Sequence, residues 1–285
     1  ESTITKEIYN SIFSDNTTTY AGGAVSIFKN SDVNYSGNTN FENVYFKNNI
    51  STKMGGAIVA EAENLTFTGG RFEGNRTDGR GGAIFLTKGV HSNFSDRGTA
   101  ESTLTINGTN FTNNTSKAEG GAIYAYMPSK INISNNSFTN NTGTVGGAVS
   151  LWADNLSNAE IKDSTGSNSV TYTFDNVKFS DNKAIREEKP GKGGAIAFMP
   201  YETLNNVTVN ADLTNVEFTN NTSNGTGGAI QGESANIALS EAIFTGNKAN
   251  EENGQGGAIY IAKGSDLSID NGIFTDNEAG KYGGA

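Results

Sequence analysis

Large apolar residues recur along this 285-residue chain in a short, fixed pattern. A Phe followed three positions later by Asn occurs at Phe13/Asn16, Phe46/Asn49, Phe72/Asn75, Phe111/Asn114, Phe138/Asn141, Phe179/Asn182, Phe218/Asn221, Phe244/Asn247 and Phe274/Asn277. A Gly-Gly-Ala triplet follows each copy, starting at Gly22, Gly55, Gly81, Gly120, Gly146, Gly193, Gly227, Gly256 and Gly283; in six of the nine the Phe-to-Gly separation is nine residues. Five positions before every Phe stands another large apolar residue: Ile8, Phe41, Phe67, Ile106, Ile133, Phe174, Leu213, Leu239 and Ile269. After the triplets come alternating segments such as Ile58-Val59-Ala60, Ile84-Phe85-Leu86, Ile123-Tyr124-Ala125 and Ile259-Tyr260-Ile261. Their first and third residues are apolar while the second varies, and a period of two turns the first and third inward from a β-strand. The segment before each Phe alternates in the same way, as in Leu104-Thr105-Ile106. No stretch follows a 3.6-residue period.

Successive Phe residues lie 26 to 41 apart, the length of one coil of two or three short strands with turns. So short a repeat cannot bury its apolar side alone, so coils must stack. Stacking sets equivalent residues above one another at about 4.8 Å, Phe on Phe and Asn on Asn, in side-chain ladders. The prediction is all-β: a right-handed parallel β-helix of about nine coils, the hand following that of parallel crossovers. The Asn is expected in a left-handed turn conformation, bonded to its neighbours in a ladder. The Gly pair is expected at a tight corner without room for a Cβ. On this reading Phe111, Asn114, Gly120, Gly121, Ala122, Ile123, Phe138, Asn141, Gly146 and Gly147 are scaffold.

Composition narrows the chemistry. The absence of Cys removes disulfides, thiolate metal sites and Cys nucleophiles. A net charge of −10 disfavours nucleic acid and anionic lipid as partners. No apolar stretch approaches the roughly 18 residues of a membrane span, so no direct membrane insertion is expected. Parallel β-helices also serve as polysaccharide lyases and hydrolases, whose carboxylates must cooperate. The position before the repeat Asn is acidic only at Asp15, Asp181 and Asp276, and the closest two are three coils apart, roughly 14 Å. The lone histidine, His91, has no evident partner. Phosphate-loop, zinc, nucleophile-elbow and calcium-nonapeptide motifs are missing. The acidic turns 185–191 and 249–254 read as solvated. The expectation is a non-enzyme with no cofactor or metal; the alternative is a carbohydrate-active β-helix with an unrecognised site.

Where the repeat breaks, binding is expected. The connections out of coils 3 and 5 carry inserts at 88–101 and 153–169, which leave the same edge of the rod with roots about 10 Å apart. Between them the outward positions of the strands after Gly-Gly-Ala hold Phe85, Tyr124, Tyr126, Trp152 and Met199, where coil 7 has Gln231 and Glu233. With His91 and Arg97 of the first insert, these are the candidate partner-binding residues, either as an exposed patch or covered by the inserts.

Phe-x-x-Asn coupled to Gly-Gly-Ala-Ile, repeated from Phe13 to Ala285, resembles the chlamydial polymorphic outer-membrane proteins. The resemblance implies a type V autotransporter: a β-helical passenger carried to the cell surface by a C-terminal barrel. The chain would then be a single passenger segment over 1–285, with signal peptide and barrel outside it. It further implies a bacterial surface location, outer-membrane-anchored or secreted, and adhesion to a host-cell receptor, protein or glycan. Self-association and an adhesive role for the motif residues are also implied.

Overall fold

A computed structural model describes residues 4–28, 37–88, 102–153, 169–200, 208–250, 252–262 and 264–285. Among these there are strands and no helix, and every strand pairing is parallel and in register. The strands form three long sheets of 15, nine and eight strands. One coil shows the plan: Thr103–Asn107, then Asn110–Thr112, the two-residue strand Thr115–Ser116, and Ile123–Tyr126 after the glycines. The first two segments share the largest sheet, the third enters the nine-stranded sheet and the fourth the eight-stranded one. The chain is a parallel β-helix, as its periodicity predicts.

The corners follow from backbone sterics. The residue three before each Phe and the residue just before each repeat Asn have positive φ throughout. At the second corner these residues are Asp15, Asn48, Gly74, Asn113, Asn140, Asp181, Asn220, Gly246 and Asp276, at φ 52–66°. Only types that tolerate the left-handed region stand there. The repeat Asn itself has no positive φ, which corrects the sequence-based expectation by one position. Its neighbour makes the bend, and the bend turns the Asn side chain inward.

Turned inward, the Asn side chains form a continuous ladder. Asn114 Nδ2 donates to Asn141 Oδ1 in the next coil (3.0 Å) and to the Phe72 carbonyl in the previous one (3.0 Å). Its Oδ1 accepts from the backbone N–H (3.1 Å) and Nδ2 (2.9 Å) of Asn75. The same pattern runs from Asn49 to Asn247, all 0 % exposed. A buried amide that satisfies every donor and acceptor avoids the desolvation cost of an orphaned group. Beside it the Phe rings stack from Phe13 to Phe274, with centroids 4.7–5.0 Å apart and planes within 9°. Each ring brings roughly 1.5–3 kcal/mol of burial and about 0.5–1.5 kcal/mol of ring pairing.

The two glycines of the triplet are required for different reasons. Gly120 has φ +69°, and a Cβ there would also sit 2.3 Å from the Ile123 carbonyl. At Gly121 a Cβ would lie 1.9 Å from the Gly147 carbonyl of the next coil. The first is a conformational need and the second a need for close approach.

Candidate interaction surface

The strands after Gly-Gly-Ala bring the sequence-predicted aromatic row together in register. Val59, Phe85, Tyr124, Ser150, Ala197 and Gln231 are successive partners in one outward row. Thr87, Tyr126, Trp152 and Met199 follow one another in the next. The Phe85 and Tyr124 rings stack at 5.2 Å, and Tyr124 lies tilted against Trp152 at 6.5 Å. Trp152 Nε1 donates to Ser150 Oγ at 2.9 Å, which fixes the indole along the sheet.

This row is not a free patch. Phe85, Tyr124, Tyr126 and Met199 are 2–7 % exposed, and only Trp152 keeps partial exposure. They belong to two small apolar clusters outside the main core. One holds Ala21, Val59, Phe85, Tyr124, Tyr126 and Met127; the other holds Val145, Ala197 and Met199. Trp152 packs on both. An exposed recognition patch of these side chains is therefore overturned. Part of the cover comes from the residue just before each Gly pair, a position the sequence reading overlooked. Met54 packs on the first cluster, the Arg80 guanidinium lies 5.4 Å from the Tyr124 ring centre, and Thr226 Oγ1 donates to Gln231 Oε1 at 2.6 Å. Arg80 is itself held by Glu119 at 2.6 Å. The apolar choices Met54 and Val145 at a nominally outward site are the signal for this cover.

His91, Arg97 and most of both inserts lie outside the described residues. The strands that carry them are placed: the roots at Thr87 and Ala153 leave one edge of the eight-stranded sheet, two pairing steps apart.

Asp15, Asp181 and Asp276 are exposed bend residues rather than a carboxylate set. In the turn 185–191, Asn224 Oδ1 accepts from the backbone N–H of Arg186 (3.1 Å) and Gly191 (2.8 Å), so that loop is stapled to the next coil. Among the described residues no group of three or more His, Cys, Asp or Glu side chains is arranged to hold a metal ion. Nor is any helix among them long and apolar enough to cross a membrane.

Five stretches, residues 43–61, 70–87, 108–126, 215–233 and 241–262, match the Chlamydia polymorphic membrane protein repeat. Each begins at or beside the bend before a Phe and runs to the end of the strand after Gly-Gly-Ala, or just past it. In four of the five the matched unit thus contains both bends, and in all five it contains the Asn rung and the glycine corner. No curated protein and no solved structure matches the chain.

Proposed function

We propose, from the premise that this chain carries a chlamydial polymorphic-membrane-protein-like repeat region, that it is the adhesive passenger of a bacterial surface autotransporter. The matched family is one of outer-membrane or surface proteins and is not a known enzyme family. The single observation that supports an attachment role is where the regularity fails. Seven consecutive Asn rungs are buried without interruption, so the coils are a stiff support. Against that support two long connections leave one edge two steps apart, and loops on rigid scaffolds are where binding concentrates. The contact surface in this reading is the connections themselves, His91 and Arg97 included, with half-buried Trp152 at the root of the second. Phe85, Tyr124, Tyr126 and Met199 are buried in the strands that carry and flank these roots. The partner is a host-cell surface receptor.

The test is attachment of the labelled chain to cultured host cells, before and after both connections are shortened to the minimal coil length. Shortening is expected to reduce attachment at least tenfold while circular dichroism retains the β signature. Undiminished attachment by a folded, shortened chain would refute the assignment of the surface. Failure of the intact chain to attach would refute adhesion.

A further inference from the structure

On the far side of the rod, the first strand of each coil turns two polar rows outward. One runs Thr171–Asn210–Asn236–Asp266 and the other Thr173–Asp212–Ala238–Ser268, each in pairing register. Ala238 is the only residue in these two rows whose side chain stops at Cβ, and the face is indented around it. The indentation is a shallow groove of about 350 Å³ over four coils, within the roughly 300–1,000 Å³ of small-molecule sites. Its polar lining includes Asn210, Asp212, Asn236, Asp266 and Ser268. Asn236 Nδ2 donates to Asn210 Oδ1 at 3.1 Å, and among the described residues neither carboxylate is engaged in an ion pair.

We propose that this groove is a binding site for a neutral saccharide unit, held by hydrogen bonds from its hydroxyls. The lining intersperses acceptors (two carboxylates and amide oxygens) with donors (amide N–H and the Ser268 hydroxyl). Hydroxyls that both donate and accept can satisfy such a set, whereas a purely accepting anion cannot. Charge points the same way, since among the described residues two carboxylates and no cationic side chain line the groove, in a chain of net charge −10. Uronates and sulfated sugars are repelled. Asp212 and Asp266 stand two pairing steps and two residues apart, about 12 Å on strand geometry. That exceeds the roughly 5–9.5 Å of paired glycosidase carboxylates, so the groove binds without cleaving. Among the described residues no aromatic side chain lines it, so affinity per site is weak, with a Kd of about 1–10 mM. The inference rests on the groove alone and stands whether or not attachment runs through the long connections.

The experiment is saturation-transfer NMR and calorimetry on the whole chain. The probes are methyl β-glucoside, methyl β-galactoside and N-acetylglucosamine, with glucuronate and galactose 6-sulfate as anionic controls. At least one neutral sugar is expected to saturate, with both anions at least tenfold weaker. Ala238→Phe, which fills the groove from an outward position, is expected to weaken binding at least tenfold with thermal unfolding unchanged. Asp212→Asn with Asp266→Asn keeps the groove's shape and is expected to weaken it at least threefold, which covers the case in which Ala238→Phe does not fold. The proposal is overturned if no neutral sugar saturates, if glucuronate binds equally well, or if either folded variant binds as the parent does.

Discussion

Consider Asn114→Ala, in the middle of the amide ladder. The side chain is fully buried and makes four hydrogen bonds of 2.9–3.1 Å. Truncation leaves the Asn75 backbone N–H and one Asn75 Nδ2 hydrogen without acceptors. It also strips one donor each from the Phe72 carbonyl and Asn141 Oδ1. At roughly 1–3 kcal/mol for each orphaned buried N–H, the two donors alone cost about 2–6 kcal/mol. Because a solenoid's stability is close to a sum of coil and interface terms, the loss falls on the contact between coils 3 and 4, splitting one unfolding transition into two. Chemical denaturation followed by tyrosine fluorescence and circular dichroism would show the split, and native-state hydrogen exchange would show it first at the Asn75 amide. The control is Asn113→Gly, one residue away. Asn113 has φ +58°, and Gly occupies the same position at Gly74 and Gly246, so this change is expected within about 0.5 kcal/mol of the parent. If Asn114→Ala also falls within about 0.5 kcal/mol, the hydrogen-bonded ladder is not what holds the coils in register.

Other substitutions separate neighbouring causes. Gly121→Ala places a Cβ against the backbone of the next coil and is expected to abolish cooperative folding, read as loss of the sharp melting transition. Tyr172→Phe removes a buried hydroxyl that has no hydrogen-bond partner among the described residues and is expected to raise stability by about 1 kcal/mol. Burial raises the Tyr172 pKa above the ordinary 10.0. Stability is therefore unaffected by its ionisation below pH 10 and falls above it, where the unfolded chain ionises first. The parent is expected to lose up to about 1.4 kcal/mol per pH unit in that window, and Tyr172→Phe to lose correspondingly less in denaturation at pH 9 and pH 11. Glu63 is buried and accepts from Thr39 Oγ1 (2.6 Å) and from Lys6 Nζ (2.9 Å), the Lys6 side chain being 42 % exposed. Glu63→Ala is expected to cost about 2–4 kcal/mol and Lys6→Ala under about 1 kcal/mol in the same assay, since exposed ion-pair partners contribute little.

The fold was legible because its constraints are local and repeated. A Phe at a fixed offset from an earlier apolar residue states which faces point inward, and the recurrence of both states that coils stack. The bend position was misplaced by one residue, although the signal was available. The residue before each Asn is always Asp, Asn or Gly, whereas the Asn itself never varies, and a site that needs only a permissive backbone admits several types. The burial of Phe85, Tyr124 and Met199 was beyond a period-two reading. Alternation assigns a side chain to a face, and whether that face is covered depends on side chains such as Met54 and Arg80 that reach it from another corner. The groove around Ala238 was hidden for a related reason. It is a missing volume, defined by neighbours that come from coils separated by 26 or more residues.

The amide ladder also has a direction. From Asn49 to Asn247 each Asn side chain donates one hydrogen toward the following coil and one toward the preceding Phe carbonyl, while its oxygen faces back. All the rungs therefore point the same way, and the rod has a head that differs chemically from its tail. Two such rods abutting end to end can continue the row only tail to head, because like ends would confront oxygen with oxygen or hydrogen with hydrogen. Any axial assembly that uses this row is polar and open, and a closed twofold pair through the same ends is excluded.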